Sequence, residues 1–357
     1  MKKAVTKPCP LKGSEGGQHV NGRSLSMFTL AAKIAPQRST LYSSLASQLA
    51  IPELLLSPLR PVIAGAEKKE LGSQDYVLLQ LDRELTEKDL FTLSMLAMTN
   101  EFFAYHERIG QVVGPFLRPL VLQRHPFLPE DIVATRRYKG KTNELLTRFL
   151  LNIALFSSAF GDQSPWRLTV LDPLCGGGTT LFQALVYGFD AWGIDKAKRD
   201  IESTEAFLRG YLREMGIPFE RREERLREVG RRYTFRIGQG EEARQCVLTH
   251  ADTAMTPAIL AGQKVHLIVA DLPYGVQHKG QISSLMTQAL PGWQKVLRSG
   301  GVVALAWEAT RLDRQEMMEL FNDNSNFQVL DHHPYDALQH PVDRVIKKRD
   351  IVVARLP

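Results

Sequence analysis

From about residue 168 to the end, short apolar runs alternate with longer segments whose apolar positions recur every three or four residues. The runs Leu168–Leu171, Ala191–Asp195, Gln245–His250, Val265–Asp271, Val302–Trp307, Phe327–Leu330 and Asp350–Arg355 read as strands. Between them, segments at 181–188, 196–215, 282–298 and 311–322 read as helices. This alternation predicts an α/β fold: a Rossmann-like, mostly parallel sheet of seven strands, with helices on both faces and ligands at the carboxyl ends of the strands. Upstream the pattern is weaker. Residues 1–44, rich in Lys, Gly, Ser and Gln, predict a flexible lead-in. The prolines at 52, 58 and 61 are expected to break any regular element between Ile51 and Gly65. Asp75–Leu81 reads as a strand, and Thr86 with Asp89 as a capping box for a helix running to about Arg108, its apolar positions ending in Phe102 and Phe103. Residues 45–130 are thus a small α+β module of unassigned role, and 131–357 the main domain. An apolar helix from Asn143 to Phe156 opens that domain, with Thr142 as its expected N-cap.

The alternation points to one turn. Asp172-Pro-Leu-Cys175-Gly176-Gly177-Gly178-Thr179-Thr180 stands between a strand and a helix, and successive glycines let a backbone fold tightly and approach a ligand. A nucleoside triphosphate site would need a Lys after the last glycine, where Thr179 stands. A dinucleotide fingerprint would place a third glycine where Leu181 stands, which weakens that reading without removing it. The remaining candidate is S-adenosylmethionine, whose cationic amino-acid end would lie beside Asp172. Glycine triplets also serve merely to turn loops. Two more features favour a ligand: the strand ending in Asp195, placed to accept from ribose hydroxyls, and the buried run that leads into Asp271-Leu272-Pro273-Tyr274-Gly275.

Together, DPLCGGGTT, GID and DLPYG resemble the class I S-adenosylmethionine-dependent methyltransferases that modify exocyclic amino groups of nucleobases. With RY-x-GKT at Arg137 to Thr142, the chain is similar, over about residues 131–357, to the tRNA guanine-N2 methyltransferases usually found with a THUMP domain. It departs from them in having Leu272 at the first proline of the hallmark tetrapeptide and no recognisable THUMP pattern upstream. The resemblance implies a catalytic group of Asp271, Leu272, Pro273 and Tyr274. The cofactor would be held by Asp172, Cys175, Gly176, Gly178, Thr180, Asp195 and Asp252, the last on the adenine amino group, with Lys141 and Thr142 near the methionine carboxylate. Asp271 and the Leu272 carbonyl would each accept one amino hydrogen, Pro273 would offer no competing N–H, and Tyr274 would stack on an extruded base. The leading expectation is methylation of guanine N2 in tRNA. DNA adenine or cytosine amino-methylation, or a nucleic-acid-binding protein that keeps the fold without turnover, are the alternatives.

Composition fits this picture. Over 357 residues, 44% hydrophobic and 24% charged, the chain can build a sizeable core, and its net charge of +6 suits a polyanionic partner such as structured RNA. Arginines mixed with glutamates over 219–244 read as a solvated helix face or as contacts to an RNA backbone, and Arg344, Lys347, Lys348 and Arg349 as a basic edge. His332, His333, Asp336 and His340 fit no metal-ligand spacing, so no metal is expected. Cys9, Cys175 and Cys246 are odd in number and not metal-spaced, which points to a reducing, cytoplasmic setting, and no apolar run is long enough to span a membrane. Oligomeric state leaves no mark in the sequence.

Overall fold

In a computed structural model, the structure describes residues 28–36, 44–138, 140–162, 167–227, 229–272, 279–342 and 348–357. Residues 273–278, with the expected Pro273 and Tyr274, lie outside them, as do Arg344 and Lys347.

The large sheet is built from β6 (Thr169–Asp172), β7 (Asp190–Asp195), β8 (Phe219–Leu226), β9 (Gly230–Ile237), β10 (Arg244–His250), β11 (Val265–Asp271), β12 (Leu297–Glu308), β13 (Gln328–Leu330) and β14 (Arg349–Arg355). Its spatial order is β13-β14-β12-β11-β6-β7-β10-β9-β8, nine strands where the sequence predicted seven. The two extra strands form an antiparallel hairpin, β8–β9, on the edge beyond β10. The charged run predicted as a helix face is this hairpin. Its buried residues Tyr233, Phe235 and Ile237 recur every second position, which suits a strand and not a helix. The five central strands β12, β11, β6, β7 and β10 are mutually parallel. The chain winds outward from β6 through β7 to β10, then returns to β11 and winds the other way. The winding reverses between β6 and β11, and such a switch point opens a crevice at the strands' carboxyl ends.

Strand alternation divides the core into two layers. Val302, Ala304 and Ala306 of β12 face a cluster shared with α4 (Glu144–Ser157), α5 (Thr179–Val186) and α6 (Lys198–Glu214). Val303, Leu305 and Trp307 face the opposite cluster, with α7 (Thr256–Leu260), α8 (Lys279–Val296) and α9 (Arg314–Asn324). Trp293 and Trp307 are fully buried there.

The N-terminal module is a five-stranded antiparallel sheet, β2-β3-β1-β4-β5, of β1 (Phe28–Ile34), β2 (Ile63–Leu71), β3 (Gln74–Leu81), β4 (Thr99–Ile109) and β5 (Val112–Pro119). Three expectations change here. Phe28–Ile34, assigned to the lead-in, is the middle strand of this sheet. Helix α1 (Leu45–Leu56) runs through Pro52. Helix α2 (Glu87–Met95) has the expected capping box of Thr86 and Asp89 but stops well short of Arg108. The remainder is β4, on which Phe102 faces the large core while Phe103 faces the opposite side of the sheet, because adjacent residues on a strand point to opposite faces.

Module and domain share one apolar cluster, running from Leu49 and Leu54 of α1 to Phe149 and Leu150 of α4. Across this seam the fully buried Glu53 carboxylate accepts from the N–H groups of Ala97 and Met98 and from Asn152 Nδ2, at 2.8–3.0 Å. Burial pushes its carboxyl above the ordinary range, against the pull of those three donors. Among the described residues no helix is long and apolar enough to cross a membrane.

Candidate functional site

The crevice at the switch point is a cavity of about 820 Å³, within the roughly 300–1,000 Å³ of small-molecule sites. Asp172, Asp195, Asp252 and Asp271, expected from the sequence to act together, all line it. Cys175, Gly176, Thr180, Thr142 and Leu272 line it as well.

The glycine turn forms its floor. Gly176 and Gly178 have φ of 45° and 83°, where a side chain would be strained. Gly178 does not line the cavity; it caps α5, its N–H bonding to the Cys175 carbonyl at 2.7 Å. A Cβ on Gly177 would lie 2.1 Å from the Tyr138 ring, which covers the turn and whose hydroxyl bonds to Thr179 Oγ1 at 2.7 Å. Arg136 fixes the same turn, donating to the Gly177 carbonyl at 2.7 Å and to Thr204 Oγ1 at 2.6 Å. Tyr138 belongs to the RY-x-GKT motif, but the sequence reading gave neither it nor Arg136 a role, although both sit in the basic turn before α4.

Each acid is fixed differently. Asp195 accepts from the N–H groups of Gly176 at 2.8 Å and Ala197 at 2.7 Å, so the second strand end supports the glycine turn directly. Asp252 caps a short turn through the Ala254 N–H at 2.9 Å. Asp172 is nearly fully buried, and burial lifts its carboxyl to about 7; Asp195 and Asp271 add to the rise, while the Thr180 hydroxyl and the Leu174 N–H oppose it. Such a carboxylate gains from a cationic ligand group placed beside it. Cys175 is buried and its thiol is pushed well up, away from the thiolate that nucleophilic chemistry needs.

Asp271 ends β11. Its Oδ2 accepts from the Thr142 hydroxyl at 2.8 Å and lies 3.6 Å from Arg349 Nη2. Burial raises its carboxyl, and Arg349, Thr142 and His340 counter that rise. Thr142 is therefore a partner of Asp271 and not the N-cap of α4; Asn143 caps, accepting from the Leu145 and Leu146 N–H groups at 2.9 and 3.2 Å. Lys141 does not reach this cavity. It donates to the Val133 carbonyl and Glu144 and lines a separate 1330 Å³ cavity against the module. Arg349, expected on a basic edge, is completely buried, and so is His340, with which it exchanges backbone hydrogen bonds of 2.9 Å. Nothing local distinguishes Arg349 from its basic neighbours. It is buried because β14 pairs with β12.

No family model matches the sequence, and no curated protein does. Among solved structures, TrmN from Thermus thermophilus aligns over 92% of this chain and 100% of its own, at 15% identity with a TM-score of 0.45. The rRNA methyltransferase aviRa from Streptomyces viridochromogenes aligns over 64% and 91%, at 14% identity and a TM-score of 0.37. A methyltransferase homolog protein from Pyrococcus horikoshii aligns over 93% and 87%, at 12% identity and a TM-score of 0.39. The chemistry of the cavity rests on its own residues.

Those residues suit S-adenosylmethionine. Asp172 offers a buried carboxylate to an ammonium, Asp195 and Asp252 stand at the next two strand ends toward β10, and the glycine turn leaves open space beside Gly176.

Proposed function

We propose that this protein is an S-adenosylmethionine-dependent methyltransferase acting on an exocyclic amino group of a nucleobase, guanine N2 in tRNA being the leading substrate. The observation that carries this reading is the convergence of Asp172, Asp195, Asp252 and Asp271 on one cavity, with Asp271 held by Thr142 and Arg349.

The cofactor, when bound, supplies a methyl group made electrophilic by a positively charged sulfur. Asp172, Asp195 and Asp252 would hold its amino, ribose and adenine groups, over the floor formed by Cys175, Gly176 and Thr180. At the other end of the cavity Asp271 accepts a hydrogen from the base amino group. A nucleobase amino nitrogen is a weak nucleophile because its lone pair is shared with the ring. A carboxylate holding one hydrogen, with the Leu272 carbonyl holding the other, turns that lone pair out of the ring plane. The same carboxylate offsets the positive charge that grows on nitrogen as its bond to carbon forms, and takes up the proton released. A pre-placed anion in a buried site does this without reorganisation. Thr142 and Arg349 favour the ionised form of Asp271, against the upward pull of burial on its carboxyl. In this reading Tyr274 stacks on the extruded base and Pro273 keeps the turn free of a competing donor.

The test is methyl transfer from labelled cofactor to total RNA and to genomic DNA, with the modified nucleoside identified by mass spectrometry. Labelled N2-methylguanosine in RNA is expected. Label confined to methyladenine or methylcytosine in DNA would overturn the assignment of substrate.

A further inference from the structure

The hairpin β8–β9 extends the sheet, and its turn lies at the same end as Asp172, Asp195 and Asp271, because β8 ends and β9 begins beside the carboxyl end of β10. At that edge the cross-strand register is unusual. Arg225 of β8 stands directly opposite Arg231 of β9, Arg231 directly opposite His250 of β10, and His250 directly opposite Asp195 of β7. Residues directly opposite share a face, and like charges so placed oppose folding. At a strand spacing of about 4.8 Å, the row extends roughly 14 Å from the cavity acid Asp195 to Arg225.

Elsewhere in the hairpin two arginines are neutralised locally. Arg221 pairs with Glu205 and Glu223, both at 2.8 Å, and Arg232 pairs with Glu224 at 3.2 Å and lies over the Trp192 ring. At the row, Arg231 keeps Glu223 at 3.1 Å. Arg225 and Arg227 carry no ion pair to any described residue. Arg225, Arg227 and Arg231 line an open cleft of about 570 Å³ together with Lys198 and His250, and among the described residues no acid lines it. A cationic row at a ligand-binding edge, assembled against its own repulsion, gains its compensation from an anion.

We propose that this row is a phosphate-binding track for the backbone of the substrate RNA, which it anchors on the opposite side of the cofactor cavity from Asp271. The proposal rests on the reading of the substrate as RNA and names the surface that grips it. Phosphate contacts fix register without reading sequence, so the track contributes affinity and position while base choice stays at Asp271.

The test measures binding of the full-length protein to bulk tRNA across a salt series, for wild type, Arg225→Ala/Arg231→Ala, the corresponding double Lys variant, and Arg222→Ala. Arg222 lies on the opposite face of β8 and serves as control. For the double Ala variant, affinity at low salt is expected to fall about 10- to 100-fold, and the slope of log affinity against log salt to drop by about 2. The Lys variant and Arg222→Ala should keep the wild-type slope. Affinity for S-adenosylmethionine should be unchanged, and kcat at saturating RNA retained. If the double Ala variant also loses cofactor affinity, Arg225→Gln alone decides, with an expected drop in slope of about 1. An unchanged slope with normal cofactor binding overturns the track. Arginine-dependent binding of duplex DNA with none of tRNA overturns the RNA assignment. If the slope falls as expected while wild type transfers no methyl group to any RNA, the track stands and the proposed activity fails.

Discussion

In the proposed reading, a single carboxyl group sets the pH behaviour of cofactor binding. Asp172 titrates near 7 because it is buried beside two other acids, and only its ionised form attracts an ammonium. Below that value the proton must leave before the ligand gains its ion pair, so affinity falls as pH drops. Calorimetric titration with S-adenosylmethionine at about pH 6 and about pH 8 should show binding weaker by up to roughly tenfold per pH unit below 7. Asp172→Asn should bind weakly with that pH dependence gone; a wild type whose affinity ignores pH would contradict the role. Thr142 acts on Asp271 in the opposite sense. Its hydroxyl favours the carboxylate, so Thr142→Val raises the Asp271 carboxyl further and moves the acid limb of the kcat–pH profile upward, with kcat near neutrality lower by about tenfold. An unmoved acid limb would count against it. At this scale Asp172, Asp195 and Asp271 were legible as strand ends, because each directly closes an apolar run that reads as a buried strand. Thr142 and Lys141 were both assigned to the cofactor; one side chain holds Asp271 and the other points to a different cavity, a distinction set by the turn into α4. Arg349 was hidden for a different reason. A guanidinium inside a basic run looks solvated until strand pairing from elsewhere in the chain buries it.

Among the elements, those with one strong period were readable and those with mixed signals were not. Strands β6, β7, β10 and β11 are short apolar runs bounded by polar turns, and they form where the pattern put them, whereas β12 starts earlier, at Leu297, within the stretch read as helix end and glycine turn. The charged hairpin β8–β9 hid its strand period under arginines and glutamates. The apolar residues of β4 followed those of α2 closely enough to read as one helix. The seam between module and domain depends on Glu53, which a sequence reading leaves among ordinary surface glutamates. Replacing it by Ala leaves the N–H groups of Ala97 and Met98 and the Asn152 amide without their acceptor. A loss of about 2–4 kcal/mol in unfolding free energy is expected. Denaturant unfolding measures it, and a change below about 0.5 kcal/mol, ordinary for surface positions, would show that the seam is not held this way.

For the whole molecule, the fold works by bringing together strand ends that lie far apart in the chain. Asp172 and Asp271 are separated by a hairpin, three helices and two strands in sequence, yet they flank the place where the winding reverses. The reversal makes the crevice, the acids give it affinity for a cation, and Thr142 and Arg349 prepare the acid nearest the proposed substrate. The most direct measurement compares Asp271→Asn with wild type in two parallel assays, calorimetric binding of S-adenosylmethionine and transfer of its labelled methyl group to RNA. The expected result is cofactor affinity within about twofold of wild type and transfer reduced by about 10²–10³-fold. Transfer at the wild-type rate in a variant that binds cofactor normally would contradict the assignment of Asp271, and with it the meeting of cofactor and base amine at this crevice.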